Sequence, residues 1–275
     1  LSFFDFNFLK VKKLAQLAKY MKFCGFDNFV EMTKDRRFIQ SIINTAIYTI
    51  TTVPASIILG LILAYVMHGN IHGKKLLRLA FFIPYISSIV ALGAVFKFLF
   101  REDGIVNIVL SALNLISEPI KWSVDPAVSK IPIILLSIWS SLGYVLIIYM
   151  AAIENVPKSL YEAATIDGAN PVQQFMNITL PYMIFVLTPY IITQFTGNIN
   201  NFNIIYLLTR GEPVSVGNSA GATDLLVTWL YKLTVDQQKY NMGAVIGIFT
   251  FVVLAAVSLI TYRSSGSYKD EEAFK

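Results

Sequence analysis

Five long apolar runs separated by polar stretches dominate the chain: about Ile39–Met67, Leu76–Phe100, Ile131–Ile153, Pro181–Leu208 and Gly243–Tyr262. A helix needs ~20 mostly apolar residues to cross ~30 Å of hydrocarbon, and each run is that long. None alternates apolar and polar positions with period two, as a lipid-embedded barrel strand must. The pattern therefore predicts an all-α polytopic membrane protein with five visible transmembrane helices. Arg78 and Lys97 are the charged residues inside the runs, and each sits near an end, where its stem can snorkel to the interface. The first run contains Asn44, Thr45 and Pro54, the second has Pro84 near its start, and the fourth is polar at its far end.

The intervening segments are short or polar. Residues 68–75 read as a turn beside a cluster of Lys74, Lys75 and Arg78. Residues 101–130 carry Gly104, Pro119 and Pro126, and residues 209–240 carry Gly211, Pro213, Gly217 and Gly221. This divides the chain into an external segment, 1–37, a transmembrane domain, 38–262, and a tail, 263–275. Within residues 9–22, Leu14, Leu17, Ala18 and Met21 recur at helical spacing with the lysines largely elsewhere. Such a basic amphipathic helix lies on a membrane surface or packs, solvated, against the rest of the protein, and spacing does not choose between these.

Composition narrows the class. Of 275 residues, 55% are hydrophobic and 14% charged, with mean hydropathy +0.61, whereas soluble domains carry about 25% charge. A soluble enzyme is excluded on that ground. The net charge of +5 is dispersed or lies beside apolar runs, which fits membrane flanks better than a nucleic-acid face. Cys24 is the only cysteine, so an internal disulfide and a CxxC metal site are both impossible. His68 and His72 fall among Gly69, Asn70 and Gly73 and read as turn residues, not metal ligands. There is no Walker A sequence and no nucleophile–base–acid spacing. The chain opens on Leu1 without a signal-peptide pattern, and it is expected to begin inside a longer protein.

Residues 155–181 read NVPKSLYEAATIDGANPVQQFMNITLP. Ser159 with Glu162 fits a capping box opening one short helix. Gly168 can adopt positive φ and stop it. Asn170 can cap a second helix, with Pro171 at its first position. Two capped helices between apolar runs make a rigid knob suited to a partner's groove.

Glu162-Ala163-Ala164, Gly168 and Ile178-Thr179-Leu180-Pro181, in the spacing EAA-x3-G-x9-I-x-LP, resemble the EAA loop of binding-protein-dependent ABC importer permeases. Other residues extend the likeness to nearly the whole chain and to the sugar branch: Asn44-Thr45, Gly60, Pro84 and Ser117-Glu118-Pro119-Ile120-Lys121-Trp122. Asn200-Asn201-Phe202-Asn203, Leu207 to Gly211 and Ala220 to Val227 resemble the larger permease subunit of maltose/maltodextrin importers. The resemblance implies a type I ABC importer permease core, multi-pass in the cell membrane, with a further helix before Leu1; Leu1 to Asp5 look like the segment that follows it. It also implies that Tyr161, Glu162, Ala163, Ala164, Asp167 and Gly168 dock into a cytoplasmic ATPase. The implied partners are a second homologous permease subunit, two ATPase subunits that bind ATP-Mg, an external sugar-binding protein, a sugar and membrane lipid. The chain itself is then a transport subunit, not an enzyme, without a cofactor or metal of its own and without nucleic acid.

The resemblance places the EAA loop and the C-terminus in the cytoplasm, with 1–37, 101–130 and 209–240 outside. Lysines and arginines do not follow cleanly: seven fall inside and fourteen outside. The short segment 68–78 is the densest, and short loops carry the positive-inside rule most strongly; the basic N-terminal segment opposes it. A coupling knob on the outer face would have no ATPase to meet, so the motif decides the topology.

Polar side chains facing lipid are costly, so polar stripes should face partners, a cavity or water. Gln194, Asn198 and Asn201 stand at i, i+4, i+7, and Ser137, Ser141 and Tyr144 do likewise with Ser140 beside them. These groups either bond helix to helix or line a site. The family resemblance places Tyr85, Ser137, Ser140, Ser141, Tyr144, Gln194, Gly197, Asn198 and Asn201 at positions lining the maltose site. Ser137, Ser140, Ser141, Gln194 and Gly197 depart from the family's residues, so the sugar stays open. Amides and phenols suit sugar hydroxyls, and neither stripe is charged. The function expected is translocation of a neutral carbohydrate, maltose/maltodextrin foremost. The alternatives are another solute, such as a different oligosaccharide or glycerol phosphate, and an ion-coupled secondary transporter. A charged substrate asks for a cation in the cavity, and ion coupling asks for intramembrane carboxylates, which the runs lack. A membrane enzyme lacks a catalytic cluster.

Overall fold

The computed structural model describes residues 1–5, 21–69, 72–214 and 221–264. The amphipathic segment expected at 9–22 therefore lies outside the described residues except at its end, where Lys22 joins a strand. Among the described residues, the only strands are β1 (Phe4–Asp5) and β2 (Lys22–Phe23), antiparallel with Phe4 opposite Phe23. Everything else regular is helical. Three helices are long and apolar enough to cross a membrane, or up to five spans if each of two bent pairs counts as one.

The chain forms two compact units. Unit 1 comprises Leu1–Thr51, Ser88–Leu136 and Gly197–Ala255. It holds α1 (Asp27–Lys34), the first part of α2 (Arg36–His68), α4 (Ile89–Leu99), α5 (Ile105–Ala112), α10 (Phe202–Leu208), α11 (Leu226–Tyr231) and most of α12 (Tyr240–Ser264). Tyr48, Phe96, Phe100, Trp122, Leu136 and Ile205 belong to one core cluster; Phe38, Trp229, Leu233 and Ile246 belong to another. Buried Asn107 ties its loop together, accepting from Trp122 Nε1 at 3.1 Å and donating to the Ile120 carbonyl at 2.9 Å. The 101–130 connection is thus an ordered cap with a helix inside it, not an open loop.

Unit 2 comprises Thr52–Ser87, Ser137–Thr196 and Ala256–Lys275. It holds the remainder of α2, α3 (Lys74–Ile86), most of α6 (Lys130–Glu154), α7 (Lys158–Ile166), α8 (Pro171–Gln174) and most of α9 (Leu180–Ile199). Its core joins Ala64, Met67, Val145, Leu146, Tyr149 and Met183. Small residues set the helix spacing, as membrane helix packing requires. A Cβ on Gly60 would run into the Val145 side chain, and one on Gly143 into the Phe81 backbone.

Two apolar runs are not single helices. The second stops at Ile86, where Ser87 donates from both its N–H and its hydroxyl to the Ile83 carbonyl, and α4 starts only at Ile89. Adjacent serines offer the backbone such local alternatives to the helical ladder. The fourth stops at Ile199, and Asn201 caps a new helix. Lys74, Lys75 and Arg78 are the opening of α3, not part of a turn, and Lys97 is exposed in the last turn of α4 as expected.

Candidate functional site

The loop at 155–180 is built as two short helices and a five-residue π-helical turn, Phe175–Thr179. Its second helix begins as expected: Asn170 Oδ1 accepts from the Gln173 N–H at 2.9 Å, and Gln173 Oε1 accepts from the Asn170 N–H at 2.8 Å. Gly168 has φ +78°, again as expected. The first helix begins differently. Pro157, not Ser159, is its cap residue, without a side-chain cap bond, and Ser159 and Glu162 lie within α7. The Pro157 ring fixes φ near the value measured, −57°, so the helix starts two residues earlier than Ser159 would set it.

Neither helix buries a residue. Glu162, Ala163, Asp167 and Gly168 are exposed, and Ala164 is half-buried. Ile166 is 87% exposed and Val172 68%. Tyr161 points inward: its hydroxyl and that of buried Thr179 are 2.8 Å apart. It is the latch that holds the helix pair to the π turn.

The other predicted residues divide between the units. In unit 2, Tyr85 and Tyr144 stack with ring centroids 5.1 Å apart and planes within 14°. Both are partly exposed, at 46% and 38%. Tyr144 also meets Tyr190 edge-on at 5.5 Å, and Tyr190 meets Tyr149 at 6.5 Å. Gln194 lies beside the Tyr190 hydroxyl. The serines face protein: Ser137 is buried, Ser140 donates to the Ser137 carbonyl, and Ser141 donates to Ser56 Oγ at 3.0 Å and to the Ile138 carbonyl. Ser141 thus joins α6 to α2.

In unit 1, Gly197 is exposed, with no heavy atom within 4 Å of where a Cβ would sit. Asn198 is half-buried in the last turn of α9. Asn201 does not continue that helix face. Its Oδ1 caps α10 at the Ile204 N–H, 3.4 Å away, and its Nδ2 donates to the Tyr48 hydroxyl at 2.8 Å. The i, i+4, i+7 stripe therefore breaks after Asn198. Tyr190 and Tyr149 were missed by the sequence reading, although Tyr190 stands one turn before Gln194.

A second polar centre, also missed, lies in unit 1. Asp224 is fully buried; its carboxylate accepts from Lys232 Nζ at 2.8 Å, Thr228 Oγ1 at 3.1 Å and the Gly221 N–H at 3.1 Å. Asn44 Nδ2 donates to the Asp224 carbonyl at 2.9 Å, and Thr45 Oγ1 accepts from the Leu226 N–H. Asp224 and Leu226 are pinned to α2 by these bonds. Among the described residues, no group of three or more potential metal ligands occurs.

Known proteins resemble this chain in sequence and fold. A family model described as the inner membrane component of binding-protein-dependent transport systems matches residues 33–266. The maltodextrin transport system permease protein MdxF of Bacillus subtilis is 34% identical over 260 residues, covering 90% of this chain and 60% of that protein. The galactooligosaccharides transport system permease protein GanP of the same organism is 33% identical, covering 92% and 62%. The chain thus spans about three fifths of the length of these relatives. A crystal structure of a bacterial ABC transporter that imports the acidic polysaccharide alginate superposes with a TM-score of 0.74 at 26% identity, covering 87% of this chain and 82% of that one. With the family model matching most of its length, the chain belongs to the family of inner membrane components of binding-protein-dependent transport systems.

Proposed function

We propose that this chain is a permease subunit of an ATP-driven importer for a neutral carbohydrate, maltodextrin foremost. The observation that carries the reading is the pairing, within unit 2, of a stacked tyrosine wall with an exposed helix pair. Partly exposed phenol rings cover the apolar faces of pyranoses and hydrogen-bond their hydroxyls. Tyr85, Tyr144, Tyr149, Tyr190 and Gln194 are all uncharged at neutral pH, which suits an uncharged polyol. The maltodextrin and galactooligosaccharide relatives support the substrate class, and the second of them keeps a non-glucose oligosaccharide as the alternative.

In this mechanism α7 and α8 sit in a groove of a cytoplasmic ATPase, and two such ATPases bind and hydrolyse ATP-Mg. A second permease completes the path, and an external binding protein delivers the sugar. Glu162 and Asp167 give the docking face its charge, Ile166 and Val172 its apolar contact. Tyr161 keeps the face rigid through Thr179, so that movement of the ATPase displaces the loop as one body.

The test is uptake of labelled maltotriose into proteoliposomes holding the complete transporter, scored per complex by copurified ATPase. Wild type should show ATP-dependent, saturable uptake. Tyr144→Ala loses ring contact and a hydroxyl and should cost more than tenfold; Asn198→Ala should cost two- to tenfold, one hydrogen bond's worth. Full uptake per complex in both variants would remove these residues from the substrate path. No uptake of maltotriose or a galactooligosaccharide by wild type would end the carbohydrate reading.

A further inference from the structure

An aromatic ledge stands in unit 1 where two of its long helices begin. The paired strands β1 and β2 and the helix α1 bring phenylalanines together. Phe3 meets Phe26 edge-on at 5.5 Å and Phe29 at 5.4 Å, Phe26 meets Phe29 at 5.6 Å, and Phe4 meets Phe23 at 5.6 Å. Packing on one another does not cover them: Phe23 is 69% exposed and Phe26 68%, and Val30, one turn after Phe26, is exposed too. Successive residues divide α1 into three sides. Asn28 and Met32 are buried on one, Asp27 and Glu31 are exposed on the second, and Phe26 and Val30 are exposed on the third. Met32 already packs into the core of unit 1, so the Phe26–Val30 side is a further apolar face.

The ledge is fastened to both helices. Buried Asn28 donates from Nδ2 to the Ser2 carbonyl at 2.8 Å and to the Phe4 carbonyl at 3.1 Å, and its Oδ1 accepts from Asn241 Nδ2 at 3.2 Å. Asn241 is the second residue of α12. Asp35 alone separates α1 from α2, and its carboxylate accepts from the Arg37 N–H at 2.9 Å. Both α2 and α12 are long and apolar enough to cross a membrane.

We infer that this ledge is a membrane-interface anchor, with Phe23, Phe26 and Val30 seated in the headgroup–acyl boundary of the leaflet at which α2 and α12 begin. Lipid is the occupant that continues the surface next to it: Ile39, Ile43 and Ile47, exposed at i, i+4 and i+8, open α2 directly after Asp35. An amphipathic helix beside a span buries its apolar face ~5–10 Å into that boundary, and rings at the ends of spans settle at the same level. Asp27 and Glu31, on the neighbouring side, keep to water and limit the depth. The anchor fixes the level at which two spans enter, whatever solute the protein carries.

Phe26→Trp reads the depth in the complete transporter reconstituted into phosphatidylcholine–phosphatidylglycerol vesicles, with the parent complex subtracted. The added emission should be blue-shifted. Lipids brominated at the headgroup end of the acyl chain should quench it more than lipids brominated at the methyl end. Glu31→Trp, on the charged side, should emit as a water-exposed ring and be quenched by iodide instead. Excess substrate-binding protein should change neither. Phe23→Trp, on β2, repeats the reading if Phe26→Trp does not assemble. Emission that brominated lipid leaves untouched would overturn the inference. If the binding protein then shifts it, the ledge is a protein-docking face; if not, it lies in water or under another part of this chain. Equal quenching from both bromine positions would also overturn it, since the ring would not be held at the interface.

Discussion

Residues 155–180 and 209–240 both connect apolar helices, and they use their polar side chains in opposite ways. In the first, polar groups bond locally: Asn170 with Gln173, Thr165 with the Tyr161 carbonyl, Tyr161 with Thr179. The helices are complete without burying anything, and their outer surface is left for something else. In the second, the polar groups are buried and local bonds are joined by long-range ones: Asp224 bonds Gly221, Thr228 and Lys232 nearby, Asn44 reaches across 180 residues to Asp224, and Thr228, Thr223 and Asp224 are almost wholly enclosed. One connection is a presented surface; the other is a structural clamp on α2. Loop length and polarity alone distinguish neither role; the direction of the hydrogen bonds does.

The largest expected effect falls on the clamp. Asp224→Ala leaves Lys232 without its partner and the Gly221 N–H without its acceptor, while the Thr228 hydroxyl keeps the Leu225 carbonyl, and should destabilise the protein by about 3–5 kcal/mol. The double variant Asp224→Ala/Lys232→Met should recover part of that, because no uncompensated charge remains. Melting of the purified protein measures both, and equal losses would show that the ion pair is not what holds the segment. Gly168→Asp comes next. Its φ of +78° is unfavourable for a side chain, while the space around it is open, so the backbone strain of ~1–2 kcal/mol is the whole structural cost. The chain should still reach the membrane, but substrate-stimulated ATP hydrolysis should be lost, and normal coupling would take the loop out of the mechanism. Smallest is the capping contrast: Asn170→Ala should cost the α8 end ~1 kcal/mol, and Ser159→Ala less than about 0.5 kcal/mol as an ordinary surface change. Amide exchange of residues 172–175 against 158–162 reads the two, and an equal response would restore Ser159 as a cap.

The presented surface was legible because its signals are local. Gly168, Asn170 and Pro171 each specify a backbone conformation within three residues, and the apolar runs need only length. The clamp was not, because nothing near Asp224 announces Asn44. The stripe through Asn201 failed for a more instructive reason: a helical period was extended through Asn200-Asn201, a pair that itself stops one helix and caps the next. Ser87-Ser88 carries the same kind of signal in the second run. Tyr190 was passed over because a tyrosine in an apolar run reads as core, and only the structure brings it beside Tyr144 and Tyr149.

The close fit at Gly60 and Gly143 has a mechanical consequence. On one side of α6, the Val145 and Tyr149 side chains fill the space that Gly60 leaves on α2; on another, Gly143 lies against the Phe81 backbone of α3. Neither seam has room to slide, because a relative shift of one residue would drive a Cβ into backbone or a branched side chain. The α7 helix hangs from the end of α6 by three residues, Asn155, Val156 and Pro157. Push on α7, and α6 cannot yield along its length. Within unit 2, α6 is therefore a lever seated on two glycine bearings, and under the proposed coupling a displacement applied at the loop would reach Tyr144, three turns along the same helix.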